Sequence, residues 1–329
     1  MDPRIDAAAA WQQTAGMNFR KTFRVPPDSR VRLADIDPGE HGGYSEAEAE
    51  AELVKHKQRI STMQRRLNAE AKQSLLIVLQ GIDGAGKDGT CWHVMSAMDP
   101  QGVTVTPFKE PTAEEKKHDF LWRVHPHAPA RGDIAVFNRS HYEDVLIARV
   151  HDLAQKKIWS KRYDAINDFE AMLRREADTV VLKFFLYISK EEQLQRFKDR
   201  LDQPDRQWKI EASDYTERAY WDDYIKAFED VFAKCSTAHA PWFIIPSNHK
   251  WFRNLAVAKI IADTLEEMDP RAPPPHVDLA EIRKLYEAEA AQETARGEKP
   301  GKAADKRPTQ GKGKPDNKTV RHSSKKKKV

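Results

Sequence analysis

Cysteine is scarce in this chain: Cys91 and Cys235 are the two among 329 residues. Two thiols cannot frame a set of disulfides or fill a four-cysteine metal site, and free thiols fit a reducing compartment. Long apolar runs are missing as well. No stretch approaches the roughly 20 apolar residues of a membrane span, and the first residues offer only AAAAW, too little for a secretory signal. The expectation is a cytoplasmic protein with no membrane partner. With 40% hydrophobic residues, a chain of this length holds material for one enzyme-sized core with appendages.

Residues 297–329 lack apolar side chains beyond a few Ala and Val and end in KKKK followed by Val. Their 12 Lys or Arg against 3 Asp or Glu give +9, so a chain of net charge +4 has a body of about −5. A segment of this composition cannot bury enough area to fold and is expected to be disordered. Two readings stand side by side: a solvated tail, or one that touches a polyanion such as nucleic acid.

Between the ends, short apolar runs alternate with longer amphipathic ones. SLLIVLQ (74–80), VTVTPF (103–108), IAVFN (134–138), VVLKFFLYI (180–188) and PWFIIP (241–246) read as strands, most of them apolar enough to be covered on both faces. Hydroxyl-x-x-Glu patterns at Ser45, Thr112 and Ser189 mark helix starts. Strands alternating with helices imply a mainly parallel five-stranded sheet in a three-layer α/β/α sandwich. Residues 45–72 read as one long charged helix, with Leu53, Ile60 and Leu67 on a seven-residue spacing that docks it on the body or on a second copy. Residues 189–240 exceed what one crossover helix needs. They read as two helices around DQPDRQWK (202–209), forming a lid of the kind found over phosphate sites. The expected division is an N-terminal extension (1–44), a phosphotransferase body (45–270), a helix (271–296) and the tail.

The loop GIDGAGKDGT (81–90) matches the phosphate-binding pattern G-x-x-x-x-G-K but lacks the hydroxyl that normally follows the lysine, having Asp88 there. It follows one strand and opens a helix, the context a phosphate loop needs. Its glycines let backbone N–H groups approach phosphate oxygens, and Lys87 adds a point charge at a helix N-terminus. Asp88 either stabilises that N-terminus or holds a metal. The strand IAVFN in turn lacks the Asp that such folds place at its end, carrying Asn138 followed by RSHYED. If Mg²⁺ is used, its carboxylates are Asp83, Asp88, Glu143 and Asp144; the other reading of Glu143 and Asp144 is a favoured helix start. Arg139 beside the strand end is a natural phosphate clamp.

GIDGAGKDGT with FNRSHYEDVL, preceded by FKEPTAEEKKHDFLWRVH and followed by ERAYWDDYIKAFED and APWFIIPSNHKW, resembles the polyphosphate kinase 2 family over residues 18–268. The NRSHYEDVL form resembles the class acting on both nucleoside mono- and diphosphates. The resemblance implies a P-loop kinase-like fold, a homo-oligomer, and Mg²⁺-dependent phosphoryl transfer between inorganic polyphosphate and nucleotides. By motif it implies a catalytic set of Asp83, Lys87, Arg139 and Asp144, with Glu143 beside them. The phosphate-binding set is Gly84, Ala85, Gly86, Gly89, Thr90, Lys109, Arg123, Arg196 and Arg200. Arg196 and Arg200 stand four residues apart and therefore share one side of the first lid helix. Cys91 and Trp92 stand where the family carries an aliphatic and then a basic residue, which bears on polymer affinity rather than on the fold.

The two carboxylates in a loop built for anions make sense in this chemistry. An acceptor phosphate is already an anion and needs little help from a base, so the difficulty is bringing two polyanions into line. Carboxylates that hold a metal between them reduce that repulsion. His125 and His127 flank a proline and read as a surface loop; His118 and Asp119 either orient Arg123 or cover a helix. Trp208, Tyr220, Trp221, Tyr224 and Phe228 are core or base-stacking residues. A different enzyme of the same fold, an ATP-dependent small-molecule kinase, shares the loop and lid but favours Ser or Thr at position 88. A nucleic-acid-binding protein would depend on the tail alone.

Overall fold

The computed structural model describes residues 17–297. Contacts divide the chain into two units, Met1–Pro273 and Pro274–Val329.

The first unit is built on five parallel strands, β1 (Ser74–Gln80), β2 (Val103–Pro107), β3 (Ile134–Asn138), β4 (Thr179–Tyr187) and β5 (Trp242–Pro246), in the order β2-β3-β1-β4-β5. Around them run α1 (Phe19–Thr22), α2 (Glu46–Glu70), α3 (Lys87–Thr90), α4 (Ile147–Val150), α5 (Lys156–Ala177), α6 (Lys190–Asp202), α7 (Ala212–Thr216), α8 (Trp221–Cys235) and α9 (Lys250–Glu267). The second unit contributes α10 (Leu279–Gly297), whose described side chains are almost all exposed.

β1 is buried along its whole length because both faces are covered. Leu75, Ile77 and Leu79 point into a core shared with α2 and α9, while Leu76 and Val78 point into a second core with α5 and α8. That is the three-layer α/β/α arrangement of P-loop kinases, and among the described strands the sheet is wholly parallel. Each of these aliphatic side chains contributes about 1.5–3 kcal/mol by leaving water.

α2 starts at a complete capping box between Ser45 and Glu48 and stops where Ala71 turns left-handed at φ 52°. Ile60 and Leu67 are fully buried and Leu53 packs against them in the core that includes α9. The seven-residue spacing therefore docks the helix on the body, reinforced by Arg59 donating to Asp263 at 2.7 Å and Glu266 at 2.5 Å. Thr112 and Glu115 also exchange capping hydrogen bonds, but the helix they start is only a single 3₁₀ turn, Glu115–Lys117.

Between β4 and β5 the two expected helices are unlike one another. α6 is capped by Ser189 and followed by short turns at Pro204–Lys209, α7 and Glu217–Tyr220. α8 buries Phe228, Val231, Phe232 and Cys235 in the second core. It is a layer of the body, so the part of this connection that can act as a lid is confined to α6 and the turns after it.

Strand register brings two loops together. Leu79 pairs with Asn138 and Gln80 with Phe185, so the loop after β1 and the segment after β3 leave the same sheet edge side by side. Ligands of open α/β sheets bind at that carboxyl edge, where the strand order reverses.

Candidate active site

The loop after β1 is shaped by glycine where only glycine fits. Gly86 has φ 102°, and a Cβ there would lie 1.9 Å from Nη1 of Arg253. The N–H groups of Gly84 and Gly86 find no acceptor among the described residues, whereas Ala85 N donates to Ile82 O at 3.0 Å. Unpaired N–H groups in a left-handed loop form a ready anion cradle. Thr90 is buried with its hydroxyl on Gly86 O at 3.1 Å, and Gly89 lies beside Arg253 in the first helical turn. The helix then relaxes into a π-helical turn, Cys91–Met95.

Lys87 is 7% exposed. Its Nζ donates to Gly81 O at 2.7 Å and stands 3.6 Å from Asp83 Oδ1. Burial and the neighbouring Arg139 lower its pKa, against the pull of Asp83 and Glu143. Burial pushes Asp83 up, but Lys87 and Arg139 outweigh it and hold the carboxyl below its ordinary range, so it stays ionised.

After β3 the backbone turns sharply. Arg139 takes φ 62°, a left-handed conformation that a side chain disfavours and that clusters at functional sites. This aims its guanidinium into the cleft, 2.5 Å from Asp83 Oδ1 and 3.8 Å from Glu143 Oε2. One cavity is lined by Gly81, Asp83, Arg139, Glu143, Glu217 and Tyr224.

The four carboxylates expected around a metal are not gathered into one cluster. Among the described residues no group of three or more His, Cys, Asp or Glu side chains is arranged to hold an ion. Asp83 and Glu143 share the cavity. Asp88 instead accepts from Asn138 Nδ2 at 2.7 Å and faces Lys209 at 3.7 Å. Asp144 accepts from Arg162 at 2.9 Å, and burial pushes it up to about 6 against Arg162 and Arg123. The physical reason is local charge balance: each carboxylate has a protein cation within 3.8 Å, Arg139 for Asp83 and Glu143, Lys209 for Asp88 and Arg162 for Asp144.

The basic residues divide likewise. Arg200 faces Asp214 at 3.3 Å and is near enough to the loop to help lower the pKa of Asp83. Arg196 does not share its surroundings. It is 5% exposed, and its guanidinium donates to Gly84 O, Ala85 O, Ser247 O, Asn248 O and Glu192. Its N–H groups are spent on carbonyls, so it braces the loop from beneath. Arg123 likewise donates to Lys109 O at 2.7 Å and lies over Phe108, fixing the segment that carries the exposed Lys109. His118 stacks on Trp122 rather than on Arg123.

Several residues at the site were given no place there by the sequence, although Glu217 and Tyr224 stand in the ERAYWDDYIKAFED motif. Arg253 lies under the loop with its Nη1 3.4 Å from Ala85 O; burial lowers its pKa to about 9, assisted by Arg196. Gln193 donates to Asp83 O at 2.7 Å. Glu217 and Tyr224 complete the cavity wall, and of the lid aromatics Trp221 and Phe228 are core while Trp208 is 77% exposed.

A glycine-rich loop with a buried lysine at the head of a helix, on the central strand of a parallel sheet and facing an arginine from the next strand, defines a P-loop phosphotransferase. The model of the family Polyphosphate kinase 2 matches residues 43–273. The chain belongs to that family. It is 43% identical over 265 residues to an AMP/ADP-polyphosphate phosphotransferase of Meiothermus ruber, covering 80% of this chain and 98% of that one. It is 41% identical to an ADP-polyphosphate phosphotransferase of Rhodopseudomonas palustris, covering 75% and 90%. Among solved structures, a polyphosphate kinase 2 from Arthrobacter aurescens TC1 superposes with a TM-score of 0.79 at 43% identity, covering 82% of this chain and 96% of that one.

Proposed function

We propose that this chain transfers a terminal phosphoryl group, reversibly, between inorganic polyphosphate and nucleoside mono- and diphosphates. The observation that carries the reading is the shared cleft of Lys87, Asp83, Arg139 and Glu143 beside the unpaired N–H groups of Gly84 and Gly86. Two relatives that cover nearly their full length bear phosphotransferase names of this kind. The donor phosphate lies on the loop, accepting from Gly84, Gly86 and Lys87. Arg139 then exchanges its bond to Asp83 for equatorial oxygens of the transferring group, which a planar guanidinium matches two at a time. The attacking oxygen is an acceptor phosphate, an anion already, and no base is required.

Phosphotransfer of this type uses a divalent metal, and Mg²⁺ binds through one or two carboxylates with phosphate oxygens completing its shell. Asp83 and Glu143 fit that donor set, since they line one cavity and Asp83 is held ionised. When bound, Mg²⁺ screens donor from acceptor and neutralises charge on the transferring group. Asp88 and Asp144, each occupied by a protein donor, shape the loop and the β3 turn.

We place the enzyme in the cytoplasm as a homo-oligomer. Among the described residues no helix is long and apolar enough to cross a membrane. The basic segment from residue 298 onward lies outside the described residues, and its removal is expected to leave turnover intact; a folded truncation without activity overturns that. The central test supplies Mg²⁺ and long-chain polyphosphate with AMP, ADP, GMP or GDP, beside Lys87→Ala. Di- and triphosphates that vanish in the variant support the reading. Turnover with ATP as donor and none with polyphosphate moves the protein to the small-molecule kinases.

A further inference from the structure

The cavity beside the loop is lined by two kinds of group. Gly81, Asp83 and Arg139 supply the phosphate chemistry. Glu217 and Tyr224 add a carboxylate and a phenol, with Tyr224 in electrostatic reach of Asp83 and Glu143, over the buried Leu146 and Phe228. Polyphosphate, when ionised, has no donor to offer a carboxylate. A free carboxylate beside a phosphate site fits a ligand that brings hydroxyl groups as well as phosphate.

Glu217 is held firmly and left half free. Its Oε2 accepts from Tyr224 OH at 3.1 Å and lies 2.9 Å from His151 Nε2. Tyr220 packs its ring 4.6 Å from that of His151 and closes the back of the group. Burial first, and then Glu217 itself, keep the Tyr224 phenol protonated. Oε1 of Glu217 makes no hydrogen bond among the described residues. The carboxylate is thus oriented through one oxygen and presents the other as an acceptor in need of donors.

We propose that Glu217, positioned by Tyr224 and His151, binds the sugar hydroxyls of the nucleotide acceptor and thereby distinguishes a nucleotide from a polyphosphate chain. This rests on the nucleotide reading of the proposed function. A neutral hydroxyl donating to a charged carboxylate makes a strong hydrogen bond, and the same carboxylate repels a phosphate chain. Position 217 sits in the turn Glu217–Tyr220 between α7 and α8, so a nucleotide bound through it would also tie that turn to the body.

The test compares ADP with 2′,3′-dideoxy-ADP by calorimetry on the wild type, Glu217→Ala, Glu217→Gln and Tyr224→Phe, with KM for polyphosphate measured alongside. Wild type should bind ADP ~10-fold or more tighter than the dideoxy compound, the size expected of hydrogen bonds to a charged group. Glu217→Ala should bring the ratio to ~1 through loss of ADP affinity, Glu217→Gln should keep part of it, and the polyphosphate KM should change less than ~2-fold, against the several-fold change expected of a direct phosphate contact. Tyr224→Phe should narrow the ratio by loosening the carboxylate. A Glu217 that only supports the fold would weaken both ligands equally, leaving the ratio unchanged and overturning the proposal, as would a wild type that does not discriminate. Because binding is read without a donor, failure of the phosphotransfer reading shows separately, as wild-type enzyme inactive with polyphosphate.

Discussion

Two buried lysines, one at the loop and one in the sheet beneath it, show how the same side chain serves opposite ends. Lys183 on β4 is completely buried, and its Nζ donates to Glu170 at 2.5 Å, Cys235 O at 2.7 Å and Tyr142 OH at 2.9 Å. An ammonium has three donors, so Lys183 has nothing left to give. Lys87 is almost as buried but makes one hydrogen bond, to Gly81 O. Saturation marks Lys183 as structural, and the incompleteness of Lys87 is what its proposed role in binding phosphate requires. The two are also linked: Tyr142 lies in the turn His141–Asp144 that carries Glu143 into the cleft, so the closed network anchors a wall of the open one.

The largest effect should come from breaking the closed network on one side. Lys183→Met strands the Glu170 carboxylate without its cation and should cost ~3–5 kcal/mol of folding stability, read from denaturant midpoints. A loss under ~1 kcal/mol, well short of the cost of a stranded buried charge, would mean that water reaches Glu170 and that the two lysines do not differ as argued. Next comes Lys87→Ala, expected to lower kcat ~10²–10³-fold with the midpoint unchanged, since loss of one preorganised donor has that size. A parallel fall in stability would make Lys87 structural too. The paired replacement Glu170→Leu with Lys183→Met should be milder than Lys183→Met by ~1 kcal/mol or more, because no unpaired charge remains. It sharpens the comparison by separating the cost of a broken pair from the value of an intact one.

Much of the fold was legible in sequence where the signal is local. The loop, the five strands and the capped start of α2 follow from residues adjacent in the chain, and the fold with its P-loop emerges from them. The carboxylates illustrate what is not local. Asp83, Asp88, Glu143 and Asp144 form one set by motif, but Asn138, Lys209 and Arg162, which claim two of them, come from three separate segments. Arg196 and Arg200 share a helix side by spacing, yet one further turn toward the loop takes Arg196 under its carbonyls. Glu217 and Tyr224 lie more than 120 residues beyond the loop, and no spacing rule reaches that far. Lys183 did leave a trace: a single charge inside VVLKFFLYI, a run apolar enough for a buried parallel strand, demands a buried partner. Glu170, an acid on the α5 face that buries Ile166, Phe169 and Leu173, is the matching trace.

The smallest effect is the dependence of stability on pH, which separates the networks without changing their charge pairing. His141 is buried with Nδ1 lacking a partner among the described residues and Nε2 3.4 Å from Glu170. Burial lowers its pKa, against the pull of Glu170, so in the folded chain it stays neutral as pH falls below 6.5, where the unfolded chain takes up its proton. The unfolded state then binds more protons, and stability must decline as the pH drops. For Glu170, burial pushes the pKa up but Lys183 and His141 bring it below its ordinary value, so a further decline begins only below about 4.3, where the unfolded carboxylate protonates. His56 and His93, also lowered chiefly by burial, contribute to the upper window in wild type and variant alike, so the difference between the two isolates His141. His141→Gln should flatten part of the slope between pH 6.5 and 4.5 and leave the lower decline in place, as read from denaturant midpoints at four pH values. An unchanged slope would mean that His141 exchanges its proton as freely folded as unfolded, and the network under the β3 turn would then be open to water like the cleft over it.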